Sequence, residues 1–114
     1  MPAQSSPSLD DLVRVLKAAT EKNSLHWKET ADENTFRAEL STGAVRISKT
    51  SAAPRYLLTL LDHDGTLLEE YEPSGEGEMI AIEALYKKAR IEALNLDWKL
   101  KGLYDQLKSM AGES

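Results

Sequence analysis

Cysteine is absent from this sequence. Disulfide bridges and thiolate metal sites are thereby excluded, and the expected setting is a reducing cytoplasm. No apolar run comes near the ~18 residues that a membrane-spanning helix needs, so no membrane partner is expected. The opening stretch, MPAQSSPSLDD, has neither a basic region nor an apolar core, and a secretory signal is not expected there. Histidine is scarce. His26 and His63 are the only two, and neither has a second His four residues away. Zinc is therefore not expected, nor is any other metal or cofactor. The Gly-x-Ser-x-Gly elbow, the phosphate-binding loop and Gly-x-Gly-x-x-Gly are all missing. The nearest approach is Gly-Glu-Gly at 75–77, where Glu76 and Glu78 would repel a phosphate from a helix start.

Basic clusters are lacking too. Residues 62–78 contain Asp62, Asp64, Glu69, Glu70, Glu72, Glu76 and Glu78 without one Lys or Arg. The rest of the 114-residue chain is nearly neutral, and the whole carries −5. Nucleic-acid binding needs the opposite sign in a concentrated patch, so no nucleic-acid partner is expected. An acidic block suits a solvated face, a cation or a basic protein.

What the chain does contain is clear periodicity. Residues 1–7 are small and polar with two prolines, and read as a disordered tail. Residues 8–112 then read as a single α+β domain. Ser8 is a good N-cap, and Asp10 and Asp11 suit a first helical turn. Leu9, Leu12, Leu16 and Ala19 recur at helical spacing, which predicts a helix over 9–22 that stops near Asn23. The period then drops to two. Leu25 and Trp27, then Phe36, Ala38 and Leu40, then Val45 and Ile47 alternate with polar residues. With RYLLTLL and TLLEEYE they predict a five-stranded antiparallel meander at 25–30, 35–41, 44–49, 55–61 and 66–72. The looser TSAAP joins the third and fourth strands, since Pro54 cannot donate to a ladder. The fourth strand is apolar on both sides, so its outer face is expected to be covered by the fold or by a partner.

Helical spacing returns after PSGEGE. Met79, Ile82, Leu85, Tyr86, Ala89 and Ala93 make one stripe; Leu96, Leu100, Leu103, Leu107 and Met110 make another. Asn95 suits a left-handed stop and Asp97 a new N-cap. Two helices are expected, at 78–94 and 98–110, with one kinked helix as the alternative. The expected architecture is an N-terminal helix, a five-stranded antiparallel meander and two C-terminal helices packed on one face of the sheet.

One stretch imitates an active site. In LLTLLDHDGTLL an apolar strand runs into Asp62-His63-Asp64-Gly65-Thr66. That order resembles the first motif of the haloacid dehalogenase superfamily. The resemblance implies Asp62 as nucleophile, Asp64 as general acid and base, and a divalent cation. Such an enzyme also needs a parallel doubly wound sheet and a distal acidic pair. Here only some 50 residues follow Asp64, they read as helices, and the preceding strands lack crossover helices. We therefore read a hairpin. Asp64-Gly65 is a preferred pair for a two-residue type I′ turn. An EF-hand is rejected as well, because Leu67 and Leu68 would fall inside its ligand loop.

A second resemblance lies further on. The hairpin with its Asp-Gly turn precedes LYKKARIEALNLDWKLKGLYDQL, in which Leu85, Tyr86, Ala89, Arg90, Ala93, Leu94, Asp97, Leu100 and Leu107 form the pattern. It is similar to a group of small uncharacterised bacterial domains with such a hairpin and helical tail. The resemblance implies the fold and a bacterial setting.

No catalytic constellation emerges, so the function expected is a non-enzymatic, cytoplasmic protein-binding or regulatory module. Its partner is another protein, with a homodimer as one form. The interface candidates are Trp98, Leu100, Leu103 and Leu107 on the last helix, and Leu57 and Leu61 on the fourth strand. Trp98 lies off the leucine stripe and suits an interface anchor or a rim residue. The competing expectation is a ligand or substrate pocket between sheet and helices, lined by Tyr56, Tyr71, Tyr86, Arg90 and His26.

Overall fold

The structure, a computed structural model, describes residues 7–50 and 55–112. Most of the expected N-terminal tail and the connection at 51–54, including Pro54, lie outside the described residues. The elements run α1 (Leu9–Glu21), β1 (Trp27–Glu29), β2 (Thr35–Leu40), β3 (Gly43–Thr50), β4 (Arg55–Asp62), β5 (Leu67–Tyr71), α2 (Glu76–Ala93) and α3 (Leu96–Met110). The fold is α+β, and its five strands form one antiparallel sheet in the order β1-β2-β3-β4-β5.

The helix boundaries follow from local chemistry. Ser8 Oγ accepts the Asp11 N–H at 3.1 Å and caps α1. Asn23, with φ 61°, turns the chain out of it. Gly75 opens α2. The Ser74 N–H and hydroxyl both donate to Glu78 Oε1, at 2.8 and 2.9 Å. These bonds, the backbone one first, hold the Glu78 carboxyl below its ordinary value of 4.5. Asn95 sits at φ 54°, ψ 42°, and breaks the C-terminal segment into two helices. It is also the N-cap of α3, so Asp97 lies within the first turn rather than before it.

One face of the sheet carries the core. Trp27, Phe36, Ala38, Val45, Ile47, Tyr56 and Leu58 meet Leu9, Val13 and Leu16 of α1 and Ile82, Leu85, Tyr86 and Ala89 of α2. Each large side chain buried there contributes about 1.5–3 kcal/mol. Leu40, expected on this face, is 47% exposed because it lies at the strand end, beyond the reach of the helices.

Among the described residues no helix covers the opposite face. Ala44, Thr59 and Leu61 are nonetheless buried there, beside half-buried Arg37, Arg46 and Leu57. The cross-strand row Arg37–Arg46–Thr59–Glu70 runs through that face.

The expectation that both C-terminal helices pack on the sheet is corrected for α3. None of its residues is buried, and its substantial contacts are with α2 alone. The physical reason lies in α1 and α2. Together they fill the core face, and the left-handed Asn95 directs the chain away from it.

Candidate functional site

The α3 helix is where the fold leaves apolar surface without a cover. Its sequence alternates steps of four and three, Leu96, Leu100, Leu103, Leu107, Met110, which at 3.6 residues per turn gather on one side. Tyr104 borders this stripe. Leu100 is 59% exposed, Leu103 58%, Leu107 61%, Tyr104 62% and Met110 75%. Monomeric proteins rarely expose a contiguous apolar strip of this kind, and where they do it marks an interaction surface. Asp97, Lys99, Lys101, Asp105 and Lys108 occupy the remainder of the helix. The Lys108 ammonium lies 5.6 Å from the Tyr104 ring centroid, as a cation over its face.

Trp98 is set apart from the stripe. It lies roughly on the opposite side of α3, beside Thr20, Asn23, Ile91 and Asn95 at the junction of the three helices. It is 78% exposed. Leu57 and Leu61 differ from the α3 residues: Leu57 is half-buried, and Leu61 is only 8% exposed. Across the strands Leu61 faces Ala44 and Leu67. Leu67 and Leu68 are themselves exposed. A β-bulge explains them. Leu60 faces Glu69 while Leu61 faces Leu67, so Leu68 is an extra residue on β5.

The five pocket candidates do not converge. Tyr56 and Tyr86 meet edge to face, with ring centroids 5.4 Å apart, and Phe36 stacks obliquely on Tyr86 at 5.5 Å. Their hydroxyls are spent within the fold. The Tyr56 O–H donates to Glu83 Oε2 and the Tyr86 O–H to Asn34 Oδ1, both at 3.3 Å. Burial raises both phenols above their ordinary value of 10.0, and the Glu83 carboxylate raises Tyr56 further. The Tyr71 O–H donates to the Pro7 carbonyl at 2.9 Å. The His26 Nδ1 pairs with Glu92 Oε2 at 3.0 Å. Arg90 alone of the five lines the open depression of about 320 Å³ beside the 29–36 loop, together with Glu29, Asp32, Glu33 and Leu94. The core between sheet and helices is therefore filled by the very tyrosines expected to line a cavity.

The Asp-x-Asp-Gly-Thr stretch is a hairpin, but not the two-residue type I′ expected. Only Gly65, at φ 85°, has a positive φ within it. The Gly65 N–H donates to the Asp62 carbonyl at 2.9 Å, and the Asp62 N–H to the Thr66 carbonyl at 2.9 Å. This is a three-residue loop closed by a left-handed glycine. The Asp62 carboxylate selects it. Its Oδ1 accepts the N–H groups of Asp64 and Thr66, both at 2.9 Å. Asp62 is thus engaged in holding the turn, and Asp64 points its carboxylate towards His63, 3.5 Å away. Among the described residues no three His, Asp or Glu side chains gather as a metal site, and no helix is long and apolar enough to cross a membrane.

One participant was missed from sequence. Glu92 accepts the Trp27 N–H at 2.9 Å and the His26 contact with its other oxygen. No local pattern connects residues so far apart. No family model, curated protein or solved structure matches the chain.

Proposed function

We propose that the chain is a non-enzymatic, regulatory protein-binding module that engages its partner through α3. The observation that carries this reading is the complete lack of buried residues in an amphipathic helix of fifteen residues. Such a helix gains little from this chain's own fold. Its apolar side is suited to a second protein surface, in the helix-to-groove or helix-to-helix manner. The engagement of Tyr56, Tyr71, Tyr86 and His26 in internal contacts adds weight, because it leaves the ligand-pocket alternative without a converging set of groups.

A bacterial, cytoplasmic setting belongs to the same proposal. It rests on the hairpin-and-tail pattern and on the absence of cysteine.

The reading is tested with a photo-crosslinking residue at Leu103, on the stripe, and at Lys101, off it, in the cell that makes the protein. A protein adduct from position 103 that fades at position 101 and in the Leu100→Asp, Leu107→Asp double variant is the expected result. No adduct from either position overturns the reading.

A further inference from the structure

We infer that the occupant of the α3 stripe is a second copy of this chain, paired antiparallel through α3 in a two-fold dimer. The inference rests on the protein-binding reading and names the partner.

The stripe has the geometry of a helix seam. Leu96, Leu100, Leu103, Leu107 and Met110 fall at alternate d and a positions of a heptad. A strip this narrow is the coiled-coil kind, made to receive a second helix, whereas a helix lying on a membrane presents a broad apolar half. The exposed parts of these side chains and Tyr104 amount to roughly 600 Å², so full cover of both stripes would bury at most about 1,200 Å², the lower end for a specific interface.

Self-pairing also satisfies the flanks. In the antiparallel register that sets Leu100 against the partner's Leu103, and Leu96 against the partner's Leu107, the flanking positions meet in a fixed order. Asp97 comes beside the partner's Tyr104, whose O–H is a donor. Lys99 comes beside the partner's Gln106, whose amide oxygen is an acceptor. No like charges meet along the seam. Parallel pairing would be worse for the bodies. With α3 itself at +1, the rest of each chain carries −6, and a parallel dimer places both bodies at one end. The antiparallel arrangement places them at opposite ends.

The test uses the full chain. Light scattering over a concentration series, up to roughly 1 mM to reach the weak end of the affinity scale, should show the mass rising from 12.7 kDa towards twice that value. Leu100→Asp and Leu107→Asp should each hold the mass at the monomer value with an unchanged circular dichroism spectrum, while Trp98→Ala should dimerise as the wild type does. Because the chain has no cysteine, the pairing can be read directly. Mild oxidation of a mixture of Leu100→Cys and Leu103→Cys chains should give the mixed disulfide, with little of either like-with-like product.

A monomer throughout the series overturns the inference. If position 103 still crosslinks to a different protein in cells, the homodimer alone fails and the protein-binding reading stands. Adsorption of that monomer to anionic phospholipid vesicles overturns the inference in favour of a membrane surface. Like-with-like disulfides from both variants overturn the antiparallel pairing.

Discussion

Glu92 on α2 accepts the backbone N–H of Trp27 at 2.9 Å, across 65 residues of sequence. Trp27 is held from its other end as well. Its indole N–H donates to Thr20 Oγ1 at 2.9 Å, and that hydroxyl donates on to the Leu16 carbonyl at 2.8 Å. The short edge strand β1 is thus tied to α1 and α2 through one tryptophan, which is 2% exposed. Strands of three residues are marginal alone, so these two bonds reinforce its pairing with β2. Glu92→Ala leaves the Trp27 N–H without its acceptor and should lower stability by about 1–2 kcal/mol. Glu92→Gln retains an acceptor oxygen and should lose less. Urea midpoints of the two variants decide the matter; equal losses would show that the charge, not the bond, is what counts.

Asp62 should behave as a turn residue. Asp62→Asn keeps the side-chain oxygen that receives Asp64 and Thr66, and should fold with nearly wild-type stability. Asp62→Ala removes it and should cost about 0.5–1.5 kcal/mol, moderated by water at this exposed turn. Magnesium should leave the melting temperature of the wild type unchanged, since a bound cation would raise it. A magnesium-dependent rise that vanishes in Asp62→Asn would restore the carboxylates to a metal-binding role.

Much of this fold was legible in the sequence, and for a physical reason. Period-two alternation marked β1, β2 and β3, where polar residues interleave with core residues, whereas β4 is apolar on both faces and showed itself as a short apolar run ending at a turn. Asn23 and Asn95 marked helix ends because a short polar side chain tolerates a left-handed backbone. Three features were not legible. The Asp-Gly pair suits more than one hairpin, and the Asp62 carboxylate selected the longer loop. The leucines of α3 announced an apolar face without saying what would cover it, because periodicity reports that a face is apolar and not where its partner lies. Glu92 was invisible, because its role depends on distant residues meeting.

Gly43 has a steric role. A Cβ at this position would lie 2.1 Å from the Leu61 carbonyl oxygen, a backbone atom in the adjacent strand. Relief requires β3 and β4 to shift against each other at the end of their ladder where Gly43 pairs with Asp62. Gly43→Ala should therefore cost on the order of 1–3 kcal/mol. Gly102, with open space around its Cβ position, is the control. Gly102→Ala should raise the helicity of α3 and leave the core unaffected. Thermal melts of both variants check the contrast.

The buried phenols make stability fall at high pH. Tyr56 and Tyr86 have folded pKa values above the ordinary 10.0 through burial. The folded state therefore favours the neutral phenol more than the unfolded state does. Its contribution is complete below pH 10 and is lost as the pH rises through the folded values. Denaturation midpoints should be flat on the neutral side of pH 10 and fall beyond it. Tyr56→Phe removes the titrating hydroxyl together with its bond to Glu83, and should flatten the alkaline fall with only a small loss at neutral pH. An alkaline profile identical to wild type in both Tyr56→Phe and Tyr86→Phe would contradict this.

Two leucines eighteen residues apart should respond in opposite ways to truncation. Leu85 is fully buried among α2, α1 and the sheet, and Leu85→Ala should cost about 2–5 kcal/mol at any protein concentration. Leu103 is 58% exposed, and in the dilute chain Leu103→Ala should change stability by no more than about 0.5 kcal/mol. The difference between the sites is a difference of partner. The core surrounds Leu85 within one molecule, whereas any cover over Leu103 comes from outside it. Melting temperatures measured across a concentration series separate the two. The wild type should gain stability with concentration as α3 finds its cover, and Leu103→Ala should lose that gain while matching the wild type at high dilution. Leu85→Ala should instead lie below the wild type by a constant interval. A Leu103→Ala deficit that persists at high dilution would place Leu103 in the core of its own chain.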